Sequence, residues 1–381
     1  MTSAGTTRGA GRSVGLGIVG CGYVADYYLA TKHAYPELEI RGVHDVDGAR
    51  RDAFCAHHDL RAVPSLEALL DDPAVDVILN LTNPRAHFEI TRRCLEAGKH
   101  VYSEKPFAMD LGEAETLVAL AEEKGLLLSS APCSALGKTA RTLSHAVKRE
   151  LCGAVRLVYA ELDDGFLPAM AYRKWVSESG APWPYRDEFE VGCTLEHAGY
   201  VVTWLVEMFG AVESVTAFST CVIPDKVPGE PPLDPPDTAD VSFGVLHFES
   251  GVVARLSTTI VAPHDHAVRV FGDEGVLEVD ECWDNDTRVT YRPRLRIRRK
   301  TLLSPLPLPV RLPYPMKVVP MERGNTRMDF LLGVQAMADA LLRDKALLLS
   351  SRFCLHVNEV ALALQYAGPR AGTYVTRTRP S

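Results

Sequence analysis

Apolar and polar positions follow two different rhythms along the chain, and the change falls at about residue 153. Up to residue 130, short apolar runs alternate with stretches of helical spacing. The runs at 15–19, 38–44, 75–81, 100–103 and 126–130 read as strands. The third is apolar almost throughout, as a parallel strand covered on both faces must be. Residues 86–96 and 111–124 read as helices, and the glycines that follow them, Gly98 and Gly125, suit left-handed caps. Strands alternating with helices predict a doubly wound parallel sheet of the Rossmann kind.

Beyond about residue 153 the period shortens. Segments 155–162, 214–222, 241–248, 252–261, 268–271 and 276–279 alternate or are rich in β-branched residues. Ser250-Gly251 and Asp273-Glu274-Gly275 sit between such segments as hairpin turns. This predicts an α+β domain with a large, mostly antiparallel open sheet. Residues 330–342 and 353–366 read as two closing helices, free to pack back on the first domain. The Pro-rich, acidic stretch 224–236 reads as an exposed loop, and the basic run 292–300 as a solvated strand face. Residues 1–13, rich in Gly, Ser, Thr and Arg, read as a disordered arm. The expected domains are 14–132 and 133–381.

Composition narrows the function classes. The chain has 381 residues, of which 46% are hydrophobic and 24% charged, enough for two packed cores. A net charge of -8 argues against a nucleic-acid partner. No apolar stretch reaches the roughly 18–20 residues needed to span a bilayer, and the N-terminus lacks a signal's apolar core. The expectation is a cytoplasmic protein with no membrane partner. Nine cysteines are scattered without zinc spacing, so reduced thiols and no metal are expected.

Chemistry first appears at Gly20-Cys21-Gly22-Tyr23-Val24-Ala25, which follows a strand and opens a helix. In such a turn the first glycine permits the tight bend, the second lets the backbone approach a pyrophosphate, and the small last residue packs helix on strand. The helix N-terminus adds free N–H groups for the phosphates. Asp45 ends the second strand, placed to accept hydrogen bonds from an adenosine ribose and to repel a 2′-phosphate. NAD is therefore expected over NADP, although His44 and Arg50 stand close enough to modify the preference. At the end of a later strand, Ser103-Glu104-Lys105-Pro106 puts a lysine where open α/β sheets bind their ligands.

In these motifs the chain resembles the Gfo/Idh/MocA family, that of glucose-fructose oxidoreductase, inositol dehydrogenase and rhizopine-catabolism proteins. The likeness runs from Val14 over nearly the whole chain. It rests on Gly20 to Ala25, on Thr82-Asn83-Pro84 with His87, and on Ala97-Gly98-Lys99-His100-Val101 leading into Glu104-Lys105-Pro106. The resemblance implies a nicotinamide cofactor held by Gly20, Cys21, Gly22, Tyr23, Val24, Asp45, Thr82, Asn83, His87, Glu104 and Lys105. It implies a sugar, sugar-derivative or cyclitol substrate. It also implies that one sheet face of the second domain turns to the active site while the other is often used in oligomerisation, hence a homodimer or homotetramer.

The family's second signature, Asp-x-Gly-x-His-x-x-Asp on a helix, is altered here. Anchored on Gly210, the acid becomes Glu196, the glycine Ala198, the histidine Tyr200 and the final aspartate Thr203. Some members resemble this chain in carrying tyrosine there. A phenol can move a proton, and a nearby ammonium can lower its pKa. Glu196 and Tyr200 are four apart and share a helix face. His197 is the rival acid/base, expected to face away from Tyr200. Gly192 offers close approach to substrate, and Tyr102, Arg173, Trp183, Arg186, Thr203 and Asn83 are further pocket candidates. The leading expectation is a dehydrogenase or ketoreductase in which Lys105 stabilises an alkoxide and Tyr200 moves the proton. A ligand-sensing protein without catalysis, or a sugar–sugar oxidoreductase with a retained cofactor, are the alternatives.

Overall fold

The structure, a computed structural model, describes residues 13–319, 321 and 327–380. The expected arm at 1–13 therefore lies outside the described residues except for Ser13. Five parallel strands form the first sheet: β1 (Val14–Val19), β2 (Leu38–His44), β3 (Val77–Asn80), β4 (His100–Ser103) and β5 (Leu128–Ser130), in the order β2-β1-β3-β4-β5. The order reverses at β1, so the crevice between the C-terminal ends of β1 and β3 is the topological switch point. Helices α1 (Ala25–Ala30), α2 (Gly48–His58), α3 (Leu66–Leu70), α4 (His87–Glu96) and α5 (Leu111–Lys124) connect these strands. Asp47 and Asp110 cap α2 and α5 by accepting two backbone N–H bonds each.

The second sheet has ten strands. In chain order they are β6 (Val155–Asp163), β7 (Val212–Thr220), β8 (Val241–Phe248), β9 (Val253–Thr259), β10 (Val268–Gly272), β11 (Gly275–Val279), β12 (Thr290–Ile297), β13 (Lys300–Leu303), β14 (Leu308–Pro309) and β15 (Gly372–Val375). They run β13-β12-β11-β10-β6-β9-β8-β7-β15, with β14 beside β12. Only β6 and β9 pair in parallel among the described residues. The basic run 292–300 spans β12 and its hairpin into β13, and its residues are largely exposed, as a solvated face requires.

One face of this sheet is covered by α6 (Lys138–Lys148), α8 (Cys193–His197), α9 (Gly199–Phe209) and α11 (Ser351–Gln365). The short α7 (Tyr185–Val191) precedes α8. Helix α10 (Leu331–Arg343) leaves this domain and buries Leu331, Val334, Met337 and Ala338 against the first sheet. Helix α11 meets α5, and Asn358 bonds both backbone groups of Ala108. The crevice at the carboxyl ends of the strands is thus built on a joint with a continuous apolar core beneath it. No helix among the described residues is long and apolar enough to cross a membrane.

The stretch 224–236 is a mostly exposed loop, as expected, but it is tethered at Lys226, Val227 and Leu233. Lys226 is buried, with Nζ 3.2 Å from Asp240 Oδ2 and bonded to the Thr238 carbonyl. Val227 and Leu233 pack into a small cluster with Leu167, Tyr172 and Phe189. An ammonium leaves water here because its pairing and hydrogen bonds offset the desolvation.

Candidate active site

The glycine turn follows β1 as expected. Gly20 has φ +96°, and a Cβ there would stand 2.6 Å from the Leu81 carbonyl, so glycine is required by both backbone and space. A Cβ on Gly22 would meet no protein atom within 4 Å. That open side is what a pyrophosphate laid against the backbone needs, so the residues present fit a dinucleotide. Asp45 Oδ2 accepts the Cys21 N–H at 2.7 Å and Oδ1 accepts the Asp47 N–H at 2.8 Å. The carboxylate thereby locks the turn to the end of β2. Cys21 contributes to the turn alone, since its thiol is buried and its N–H is already given to Asp45.

Several expected cofactor residues act one step back from the crevice. His87 is fully buried, its Nδ1 2.8 Å from the Pro106 carbonyl and its Nε2 2.9 Å from that of Thr82. It braces two loops against each other, and burial holds its pKa down. Glu104 is buried as well. It accepts the Tyr28 hydroxyl at 2.8 Å and the Lys105 N–H at 2.8 Å, fixing the Lys105 backbone. Thr82 donates to Asn80, and Asn83, on the exposed loop after β3, lies close to Asp187 of α7.

Lys105, Glu196, Tyr200 and Glu188 form the centre. The Lys105 ammonium contacts the Glu196 carboxylate directly and lies 3.9 Å from Glu188 Oε1. Burial alone would lower the Lys105 pKa, but Glu188, Glu196 and Tyr200 raise it well above its ordinary value. The group is a permanent cation. Burial and the neighbouring Glu188 push the Glu196 carboxyl up to about 8 against the pull of Lys105. Glu188 was not singled out in the sequence. Nothing local marks it, because only the turn at Gly192 directs α7 back over Lys105.

Tyr200 packs its ring on the Trp283 indole with centroids 4.8 Å apart. Its phenol pKa is raised, not lowered: burial outweighs the Lys105 ammonium. Tyr200 is therefore a neutral phenol near pH 7. His197 does not face away from it. Residues three apart are neighbours on a helix, and the His197 ring lies on the same Trp283 at 5.7 Å. His197 Nδ1 is 2.7 Å from Asp164 Oδ2, an ion pair whose ring is turned off the hydrogen-bond line. Burial works against the imidazolium, yet Asp164 raises its pKa overall.

Thr203 lines a small cavity with Lys105 and Glu196, whereas the other pocket candidates are elsewhere. Tyr102 is buried under α10, its hydroxyl 2.2 Å from where a Gly333 Cβ would be. Arg173 bonds Glu230 at 2.7 Å, and Arg186 donates to the Pro231 and Pro232 carbonyls at 3.0 and 2.9 Å. Both clamp the Pro-rich stretch. Trp183 packs beside Tyr172, Trp175 and Phe189 in the same small cluster. Gly192 is pressed against Gln365 and Thr238, so its missing Cβ serves packing rather than substrate. Thr203 is buried and donates back to the Tyr200 carbonyl at 3.3 Å, supporting that turn.

Comparison with known proteins agrees with this arrangement. A family model for an oxidoreductase family with an NAD-binding Rossmann fold matches residues 14–131, and one for the GFO/IDH/MocA C-terminal domain matches 140–278. The scyllo-inositol 2-dehydrogenase (NADP(+)) of Bacillus subtilis is 28% identical over 159 residues, 42% of this chain and 42% of that protein. The dTDP-3,4-didehydro-2,6-dideoxy-alpha-D-glucose 3-reductase of Saccharopolyspora spinosa is 26% identical over 307 residues, 78% of this chain and 83% of that one. A 3-ketoreductase from Actinomadura kijaniata, solved with NADP and TDP-benzene, superposes with a TM-score of 0.69 at 20% identity, over 94% of this chain and 98% of that one. It has also been solved with one lysine changed to alanine and with one tyrosine changed to phenylalanine.

Proposed function

We propose that this chain, which belongs to the Gfo/Idh/MocA family of NAD(P)-dependent oxidoreductases, interconverts a secondary alcohol and a ketone on a sugar, nucleotide-linked sugar or cyclitol. The observation that carries the reading is the Lys105 ammonium, fixed by Glu196 and Glu188 beside Tyr200 at the end of β4. A bound nicotinamide dinucleotide supplies or takes the hydride. The chain's residues do the rest. The Gly20–Gly22 turn seats the pyrophosphate, Lys105 stabilises charge growing on the substrate oxygen, and the Tyr200 hydroxyl holds the proton for that oxygen.

The raised phenol pKa suits reduction, where a neutral phenol protonates the nascent alkoxide. The likeness to relatives named for a ketoreductase and a 3-reductase supports this direction. Tyr200→Phe keeps the ring on Trp283 and deletes the hydroxyl. Turnover is expected to fall by about 10²–10⁴ with the fold retained. His197→Asn decides the rival. A near-wild-type Tyr200→Phe beside an inactive, folded His197→Asn would reassign the proton to His197.

NAD is proposed as the better-held form. Asp45, buried just past β2 and tied to the glycine turn, supports this by a charge that would repel a 2′-phosphate, and Arg50 and Arg51 already pair with Asp47 and Asp52. The NADP named for two relatives argues the other way, and parallel titration with NADH and NADPH separates them. Self-association through the uncovered sheet face, where Phe243 is half exposed and Tyr159 packs on Phe271 two or more strands away, completes the reading. Light scattering showing a monomer at micromolar concentration would remove that part.

A further inference from the structure

Behind His197 lies a chain of acid–base groups that the reading above does not use. Asp164, just past the end of β6, has Oδ2 2.7 Å from His197 Nδ1 and Oδ1 2.9 Å from His266 Nε2. His266 Nδ1 is 3.0 Å from Glu281 Oε1, and Glu281 Oε2 is 2.9 Å from His264 Nε2. His197, Tyr200 and the buried His266 all pack on the Trp283 indole, with ring centroids 5.7, 4.8 and 4.4 Å away. The far end, His264, has 58% of its side chain exposed. Five residues from four separate stretches thus form one file from α8 to solvent, and the middle three, Asp164, His266 and Glu281, each turn both ring nitrogens or both carboxylate oxygens to their neighbours.

We propose that this file, His197–Asp164–His266–Glu281–His264, is a proton path that recharges the active site, a role that rests on the oxidoreductase reading. A neutral phenol that protonates an alkoxide becomes a phenolate in a buried site and must regain a proton before the next turnover. In reduction, one proton enters at His264 and passes through Glu281 Oε2 and Oε1 to His266. It continues through Asp164 to His197 and restores Tyr200. Each carboxylate, ionised at rest, takes the proton from one neighbour and passes that same proton to the next after turning, so the file gains and loses one proton per cycle. Oxidation runs it backwards.

Charge supports the path as well as distance. His266 sits between two carboxylates, Asp164 and Glu281, which offset the cost of burying an imidazolium. Lys105 and Glu188 act on the inner end at His197, and Asp265 and the buried Cys282 thiol lie beside the middle. The His197–Asp164 contact is close but misaligned, so a small ring rotation makes or breaks the link.

The test uses the intact protein, NADH or NADPH with a panel of keto sugars and inososes, and the reverse reaction with the matching alcohols. Absence of wild-type turnover on every member would overturn the oxidoreductase reading and the path with it. Given turnover, His266→Asn and Asp164→Asn are assayed at low buffer and with rising imidazole. The path predicts a loss of about tenfold or more at low buffer, a solvent isotope effect larger than in wild type, and recovery in proportion to imidazole. His264→Gln, at the wet end, loses less. A merely structural role gives a loss that imidazole does not touch. Buffer-independent turnover in folded His266→Asn, at wild-type or reduced level, overturns the path and leaves the oxidoreductase reading standing.

Discussion

The Lys105 ammonium and the Glu196 carboxylate meet across the joint of two domains, one at the end of β4 and the other on α8. Neither domain alone holds the site. The lysine needs the second domain's carboxylates to remain charged after burial, and those carboxylates would be costly to bury without it. The joint is therefore electrostatically self-consistent only when closed, which is how a scaffold of two folding units fixes a buried cation.

Replacing Lys105 by Met separates binding from chemistry. The Gly20–Gly22 turn and Asp45 do not depend on this side chain, so dinucleotide affinity should change little. Turnover should fall on the order of 10² or more, because the lost charge acts mainly on the transition state. Glu196 then lies buried without its cation and takes up a proton, so its pKa rises further. Fluorescence titration of the cofactor beside steady-state rates checks both halves.

Glu188→Gln should shift the alkaline limb of the pH–rate profile. Burial and the Glu188 charge raise Glu196 to about 8, and Lys105 opposes them. Removing one of the raising charges lowers the Glu196 pKa, so an inflection governed by that group moves to lower pH. The ammonium loses a partner at 3.9 Å and its own pKa also comes down. An unchanged profile in a folded Glu188→Gln would detach Glu188 from the site.

What the sequence made legible was local. Gly20 to Ala25 is a turn with its own spacing, Lys105 sits beside a proline at a strand end, and Glu196 and Tyr200 are one helical turn apart. Each can be read without knowing what packs against it. Tyr102 was misplaced because it is covered by α10, more than 220 residues downstream in the chain. Arg173 and Arg186 resembled substrate clamps, yet the Pro-rich stretch presents carbonyls that lack nearby backbone donors, and the two guanidiniums supply them. Asp164, His266, Glu281 and Trp283 carry no motif. They converge only because β6 and β10 are neighbours in the second sheet, pairing Val268 with Ala160.

Two glycine-to-alanine changes should have opposite signatures. At Gly22 the added Cβ meets no protein atom, so thermal stability should hold while dinucleotide affinity drops about tenfold or more as the methyl enters the space beside the backbone. At Gly333 the Cβ would lie 2.2 Å from the buried Tyr102 hydroxyl, and α10 must shift off the first sheet. A stability loss of about 1–3 kcal/mol is expected there. Thermal melts with and without NADH distinguish the two. Equal losses of stability would refute the open-sided turn.

Stability should fall as pH rises from about 6 to 10, and His266 should account for part of the slope. Its folded pKa is raised to about 9: burial opposes the charge, but hydrogen bonds to Asp164 and Glu281 more than restore it. A raised imidazole binds its proton more tightly in the folded state. Its contribution is whole below the unfolded value of about 6.5 and disappears as pH climbs through 9. Asp164 has the opposite sign. Burial raises it, yet His197 and His266 pull it below the usual carboxylate range, so its contribution is present above the unfolded pKa and lost only in acid. Glu196, raised to about 8, adds to the alkaline decline, since the unfolded chain ionises that carboxyl first. In His266→Asn the decline between pH 6.5 and 9 should flatten while the loss attributable to Glu196 remains. Denaturant midpoints measured across that range on the two proteins give the difference directly, and parallel curves would show that His266 is not charged in the fold.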